Sequence, residues 1–116
     1  MHQLEFYINK SIVSESARKL WLAQFIDDFT KEKDLSKITL KDNKVEPITQ
    51  LFVATAHQLC LDLKLPTPDW IKEIKILPEP FFASNMTRSC FIALRDSLYC
   101  YKIRNIFVPH NFLSRC

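Results

Sequence analysis

The chain has 116 residues, no glycine, 47% hydrophobic residues, 25% charged residues and a net charge of +3. Average usage would give a chain of this length about eight glycines. Glycine-rich phosphate loops, dinucleotide-binding fingerprints and G-x-S-x-G nucleophile elbows are therefore excluded, and hairpins closed by primed turns are disfavoured. The length suits one hydrophobic core, so we expect residues 1–116 to form a single helical domain.

The first third of the chain predicts one long helix. Residues 3–8 partly alternate between apolar and polar side chains, which fits a short strand or a direct lead into that helix. The helix is predicted over residues 14–31, with Ser14 as its N-cap. Its apolar stripe has helical spacing: it contains Ala17, Leu20, Trp21, Phe25 and Phe29, and Leu22 and Ile26 widen it.

A polar connection separates this helix from a second one. Residues 31–45 are rich in lysine and aspartate, residues 37–40 are a candidate edge strand, and Asn43 is the residue that we expect to have a positive φ. Residues 46–64 form the second predicted helix, with Pro47 at its first position. Its apolar residues cover most of its circumference, including Val53 and Leu61, so we expect it to be central.

Prolines then keep the chain extended within residues 65–70 and within residues 77–82. Between these segments, the pattern predicts a short helix over residues 68–75 that docks through Trp70, Ile71 and Ile74. The third principal helix is predicted over residues 86–102. The fold class is thus mainly α, with three principal helices, one or two short helices and room for a minor short β element.

Basic residues concentrate near the end of the chain, where residues 86–116 contain Asp96 as their only acidic residue. Arg88, Arg95 and Lys102 are spaced two helical turns apart, so they share one helix face. Basic and aromatic side chains together suit either a partner protein or a nucleic acid, while a solvated helix face carries the same pattern. The candidate partner-binding residues are Arg88, Arg95, Lys102, Arg104 and Arg115.

Catalytic and metal-binding patterns are weak. His57 and Cys60 lie three residues apart on one predicted helix face, but a Cys–His pair or a metal site would need further groups, so core packing of Cys60 is favoured. No cysteine pair has C-x-x-C spacing. We therefore expect no enzyme activity, cofactor or metal. No signal peptide or membrane span is predicted, and we expect a cytoplasmic protein with reduced thiols.

Three segments of the second half carry a resemblance: Leu65-Pro-Thr-Pro-Asp-Trp-Ile71, Glu79-Pro-Phe-Phe82 and the stretch from Arg104-Asn-Ile-Phe-Val to Arg115. In this order they resemble a family of small, uncharacterised bacterial proteins associated with toxin–antitoxin loci, next to nucleotidyltransferase-like toxins. The resemblance implies a partner protein and an antitoxin-like role, and it supplies no catalytic residues.

The matched segments also have a structural interpretation. Arg104 and Asn105 are expected to donate hydrogen bonds to backbone carbonyls where the third helix ends, since arginine carries five donors. Arg115 is expected to do the same or to form a salt bridge with Asp69. A non-catalytic protein-interaction module is the leading hypothesis for function, and nucleic-acid binding through the 86–116 surface is the alternative.

Overall fold

The computed structural model describes residues 2–40, 43–82 and 99–107. These residues form five α-helices: α1 (Leu4–Ser11), α2 (Glu15–Glu32), α3 (Pro47–Asp62), α4 (Asp69–Lys72) and α5 (Tyr99–Lys102). A 3₁₀ turn (Leu35–Lys37) follows α2, and two short strands, β1 (Phe81–Phe82) and β2 (Ile106–Phe107), flank α5 along the chain. The predicted mainly α fold is confirmed.

The first element is a helix rather than a strand. In α1 the buried residues are Leu4, Tyr7, Ile8 and Ser11, the spacing of one helix face. Glu5 in the first turn and Lys10 in the last complement the helix dipole. The two predicted alternatives, a short strand and a direct lead into the long helix, were both wrong, because α1 is a separate helix that ends before the N-cap Ser14 of α2. The apparent alternation of residues 3–8 is misleading since Tyr7 joins the buried face.

The capping signals of α2 and α3 are confirmed. Ser14 accepts a hydrogen bond from the Ala17 amide at 3.1 Å, and Pro47 occupies the first turn of α3. Both helices begin within one residue of the predicted position. Leu22 and Ile26 are buried, as predicted, but Leu20 is 62% exposed. The prediction for Leu20 was wrong because α1 and α3 cover the neighbouring face.

Helix α3 is the centre of the core, as predicted. Every residue from 49 to 56 is buried, including Val53, and only towards the end does the helix expose an apolar residue, Leu61. Aromatic rings join the three long helices. Phe25 of α2 lies 5.3 Å from Tyr7 of α1 and 5.9 Å from Phe52 of α3, measured between ring centroids. The described residues therefore share one hydrophobic core.

Positive φ angles occur at Lys33, Lys64 and Asn105 in the described part of the chain, and Asn43 is not among them. The prediction of a positive φ at Asn43 was wrong. Lys33 and Lys64 adopt this conformation instead, where α2 and α3 end. Helix α3 ends in a Schellman motif, in which the Leu65 amide donates to Cys60 O and the Lys64 amide to Leu61 O. Lys64 has the left-handed conformation that glycine usually adopts at this position. A left-handed lysine costs about 1 kcal/mol or more, which this chain tolerates in place of glycine.

Two further predicted elements differ from the structure. Residues 37–40 are not a strand, because the Asp34 side chain caps a 3₁₀ turn by accepting from the Ser36 amide, and Ile38 is buried behind it. The helix predicted over residues 68–75 is a single turn, α4, which buries Ile71. Of the helix predicted over residues 86–102, α5 is helical, and residues 86–98 lie outside the described residues.

The minor β element is a parallel pair. Strand β1 pairs with β2 in the register Phe81 to Ile106. The Phe81 amide donates to Asn105 O at 3.0 Å and the Leu77 amide to Arg104 O at 3.1 Å. The proline-rich segment before β1 is thereby tied to the residues that follow α5.

Candidate functional site

The predicted basic surface is only partly within the described residues. Arg88, Arg95 and Arg115 lie outside them, and Lys102 is exposed. Arg104, in contrast, is fully buried. Assigning Arg104 to a partner-binding surface was therefore wrong, because a side chain without solvent exposure cannot reach a partner. Nucleic-acid binding through residues 86–116 stays a prediction, with Lys102 as the one described side chain in position for it.

Arg104 instead cross-links two elements, α4 and α5. Its Nη1 donates to Cys100 O at 2.9 Å and its Nη2 to Ile71 O at 2.8 Å. Next to it, the Asn105 Nδ2 donates to Leu77 O at 3.0 Å. The expectation that these two side chains bind backbone carbonyls at the helix end is thus confirmed. The guanidinium joins α4 to α5 from the inside, which gives it a structural role.

His57 on α3 completes this cluster. Its Nδ1 lies 3.2 Å from Arg104 Nη1, and since arginine can only donate, Nδ1 is the acceptor and Nε2 carries the ring proton. Desolvation by burial, followed by the charges of Arg104 and Lys72, lowers the pKa of His57. The imidazole is therefore held neutral against a cationic partner.

The two cysteines near this cluster are poor nucleophiles. Burial raises the pKa of Cys60 to about 11 and that of Cys100 to about 11. A reactive cysteine requires the thiolate, which these environments disfavour, and His57 Nδ1 already accepts from Arg104. No group of three or more potential metal-ligating side chains occurs among the residues that the structure describes.

The His57 contact predicts a pH dependence. Because the folded-state pKa of His57 is lowered, the folded chain binds fewer protons than the unfolded one. The contribution of His57 to the free energy of unfolding should be fully present above the ordinary histidine pKa of about 6.5. It should be lost progressively as the pH falls below that value. Urea unfolding of wild type and His57→Gln at neutral and acidic pH measures this. A decline of equal size in His57→Gln would assign it to other groups.

A cavity of about 420 Å³ opens where α3 begins. Its walls are largely apolar and come from the turn between α1 and α2, the first residues of α3, and β1; they include Ile12, Pro47, Ile48 and Phe81. Arg18 also lines the cavity, and its guanidinium carbon lies 5.6 Å from the centre of the Phe81 ring. Glu15 in turn pairs with Arg18 at 3.5 Å. The cavity is thus framed by side chains that fix one another.

A second, more polar cavity of about 180 Å³ adjoins the first. Both are lined by Ile12, Glu46 and Thr49, and the smaller one adds Glu5 and Lys44. We call the two cavities together the α3 groove. Its Lys44 side is held in place by the fully buried Gln50, whose Nε2 donates to Lys44 O and to Asn43 Oδ1, each at 2.6 Å.

Exposed apolar side chains lie beside the groove. Ile12 is 60% exposed and Val13 is 81% exposed. A hydrophobic residue just before an N-cap commonly packs on the fourth helical residue, but in α2 that residue is Arg18, which lies over Phe81. Neither Ile12 nor Val13 was predicted as a site residue. An Ile-Val dipeptide between polar residues, directly before the N-cap Ser14 and without an apolar staple partner, was the available signal.

No helix within the described residues has the length and apolar content that crossing a bilayer requires. No known protein family model, curated protein or solved structure matches the chain.

Proposed function

We propose that this chain is a non-catalytic protein-interaction module that holds a segment of a partner protein in the α3 groove. The observation that carries this proposal is the apolar cavity of about 420 Å³ beside the exposed Ile12 and Val13. Concave, largely apolar sites with a few polar groups are the usual form of a binding pocket. Apolar side chains left exposed around such a site mark interaction surfaces.

The walls of the groove favour binding because they are fixed before a partner arrives. Ser14 caps α2 on one side, Pro47 starts α3 with a fixed φ, and Arg18 packs on Phe81. A preorganised site loses less conformational entropy on binding than a mobile one. Capped and proline-stiffened turns therefore hold the walls of the groove.

Replacing Ile12 by serine should weaken partner binding about tenfold, since the apolar contact of one isoleucine contributes on the order of 1–2 kcal/mol. The probe is a random peptide library panned against the full chain, followed by fluorescence anisotropy with the enriched peptides. Exposed positions tolerate such changes, so the folded state should be retained, and circular dichroism checks it.

Ile76→Ser is the matched control. Ile76 is 65% exposed, against 60% for Ile12, and it does not line either cavity of the groove. Peptides bound in the groove should lose affinity for Ile12→Ser and keep it for Ile76→Ser. If no enriched peptide distinguishes the two variants, the groove is not the binding site and the proposal fails.

A protein partner of this kind is compatible with the antitoxin-like role that the sequence resemblance implies, and that role stays a prediction. Lys102 would then lie on a second surface. Binding there would be seen as peptides that lose affinity for Lys102→Ala but not for Ile12→Ser.

A further inference from the structure

We infer that the α3 groove recognises a partner segment in which an apolar side chain stands beside a lysine or arginine. This inference rests on the proposed function and specifies the chemistry of the partner. The larger cavity takes the apolar side chain, and the smaller, polar cavity takes the cationic one.

The charges of the groove are unbalanced. The smaller cavity is lined by Glu5 and Glu46 against one basic residue, Lys44. Neither carboxylate has an ion pair or side-chain hydrogen bond within residues 2–40, 43–82 and 99–107. In the larger cavity, the charge of Arg18 is offset by Glu15. The groove therefore offers two carboxylates to a positively charged group.

The positive charge at the start of α3 opposes the attraction of a cation by the two carboxylates. A helix N-terminus carries about half a positive charge, which repels a cation. Glu46 is the N-cap residue of α3, and its side chain makes no capping hydrogen bond, so its carboxylate is available to offset the helix dipole. Glu5 and Glu46 together outweigh Lys44 and the half charge of the helix start, so about half a negative charge is left to attract a cation.

Thr49 provides an independent observation at the same place. Its side chain is 94% buried, being 6% exposed, and it lines both cavities. Its hydroxyl makes no hydrogen bond within the part of the chain that the structure describes, and it is not one of the described polar atoms that are fully enclosed without a partner. The hydroxyl oxygen is therefore open to the groove, where it can accept a hydrogen bond from a lysine or arginine, which only donate.

The position of the shared residues sets the spacing in the partner. Ile12, Glu46 and Thr49 line both cavities, so the apolar and acidic parts of the groove meet there. The apolar residue and the basic residue of the partner must therefore lie close together on the bound segment, adjacent in sequence or one helical turn apart.

The experiment uses the peptides that lose affinity for Ile12→Ser, and it measures their binding to Glu46→Gln, to Glu5→Gln/Glu46→Gln and to Glu73→Gln. Glu73 is a suitable control because it is an exposed glutamate on another element and is absent from the groove. We expect Glu46→Gln to weaken binding up to about fivefold at low salt, with a larger loss in the double variant. High salt should reduce these differences.

The outcomes separate the inference from the proposed function. Support requires that the enriched peptides carry a lysine or arginine near an apolar residue, and that replacing it by methionine removes the sensitivity to Glu46→Gln. Peptides that depend on Ile12 but ignore both glutamates would overturn the inference and leave the proposed function intact. If none of the enriched peptides depends on Ile12, both the inference and the proposed function are overturned.

Discussion

Replacing Arg104 by alanine is expected to lower the free energy of unfolding by about 2–5 kcal/mol, because two buried backbone carbonyls would each lose a charged hydrogen-bond donor. The guanidinium donates to Ile71 O and Cys100 O, and both carbonyls would lose this partner in a buried site. A domain of this size has a total stability of about 5–15 kcal/mol. Urea unfolding followed by tryptophan fluorescence measures the change.

Two further variants give this expectation its controls. Arg104→Lys keeps the charge but loses the planar fork that reaches two carbonyls, so it should still be strongly destabilised, and it covers the case in which the alanine variant does not fold. Lys19→Ala removes an exposed charge on α2 and should stay within about 0.5 kcal/mol of wild type. An alanine variant at position 104 as stable as Lys19→Ala would show that the network contributes little.

The role of Arg104 shows where sequence patterns mislead. Its charge, and the three basic residues before it at regular spacing, favoured a surface, whereas the structure buries it completely. A buried arginine requires acceptors from several elements at once, here Cys100 of α5 and Ile71 of α4. Arg104 and Ile71 are 33 residues apart in sequence, and no local pattern shows that they meet. Local signals did predict that Arg104 would bind carbonyls at a helix end.

The helix starts were predictable because their signals are local. Ser14 and Pro47 act through their own side chains on the next few residues. The helix ends were not, because without glycine the left-handed position falls to whichever residue the tertiary fold places there. Lys33 and Lys64 occupy it, and nothing in a lysine marks it for that conformation.

The groove could not be read from the sequence for a related reason. Ile12 precedes α2, Pro47 starts α3 and Phe81 belongs to β1, so the site exists only once these elements pack. The absence of glycine was an indirect indication of a preformed site, because connections built from prolines and capped turns are stiff. Such stiffness suits a preformed groove better than a lid that must open.

Phe25→Ala should also destabilise the fold by about 3–5 kcal/mol, the range for removing a buried phenylalanine. Phe25 is fully buried, and its ring centroid lies 5.3 Å from that of Tyr7 and 5.9 Å from that of Phe52. It therefore joins α1, α2 and α3, and the cavity left by alanine would affect all three helices. Urea unfolding at neutral pH measures the loss.

Phe25→Leu separates the volume of this side chain from its aromatic contacts. Leucine fills most of the space and should cost less than about 1.5 kcal/mol. Phe6 is the matched control, since it is also on this aromatic cluster, 5.5 Å from Trp21, but only partly buried. Phe6→Ala should cost about half as much as Phe25→Ala. Equal losses at the two positions would contradict a core centred on Phe25, and with it the fixed packing of α1 and α3 that forms the walls of the α3 groove.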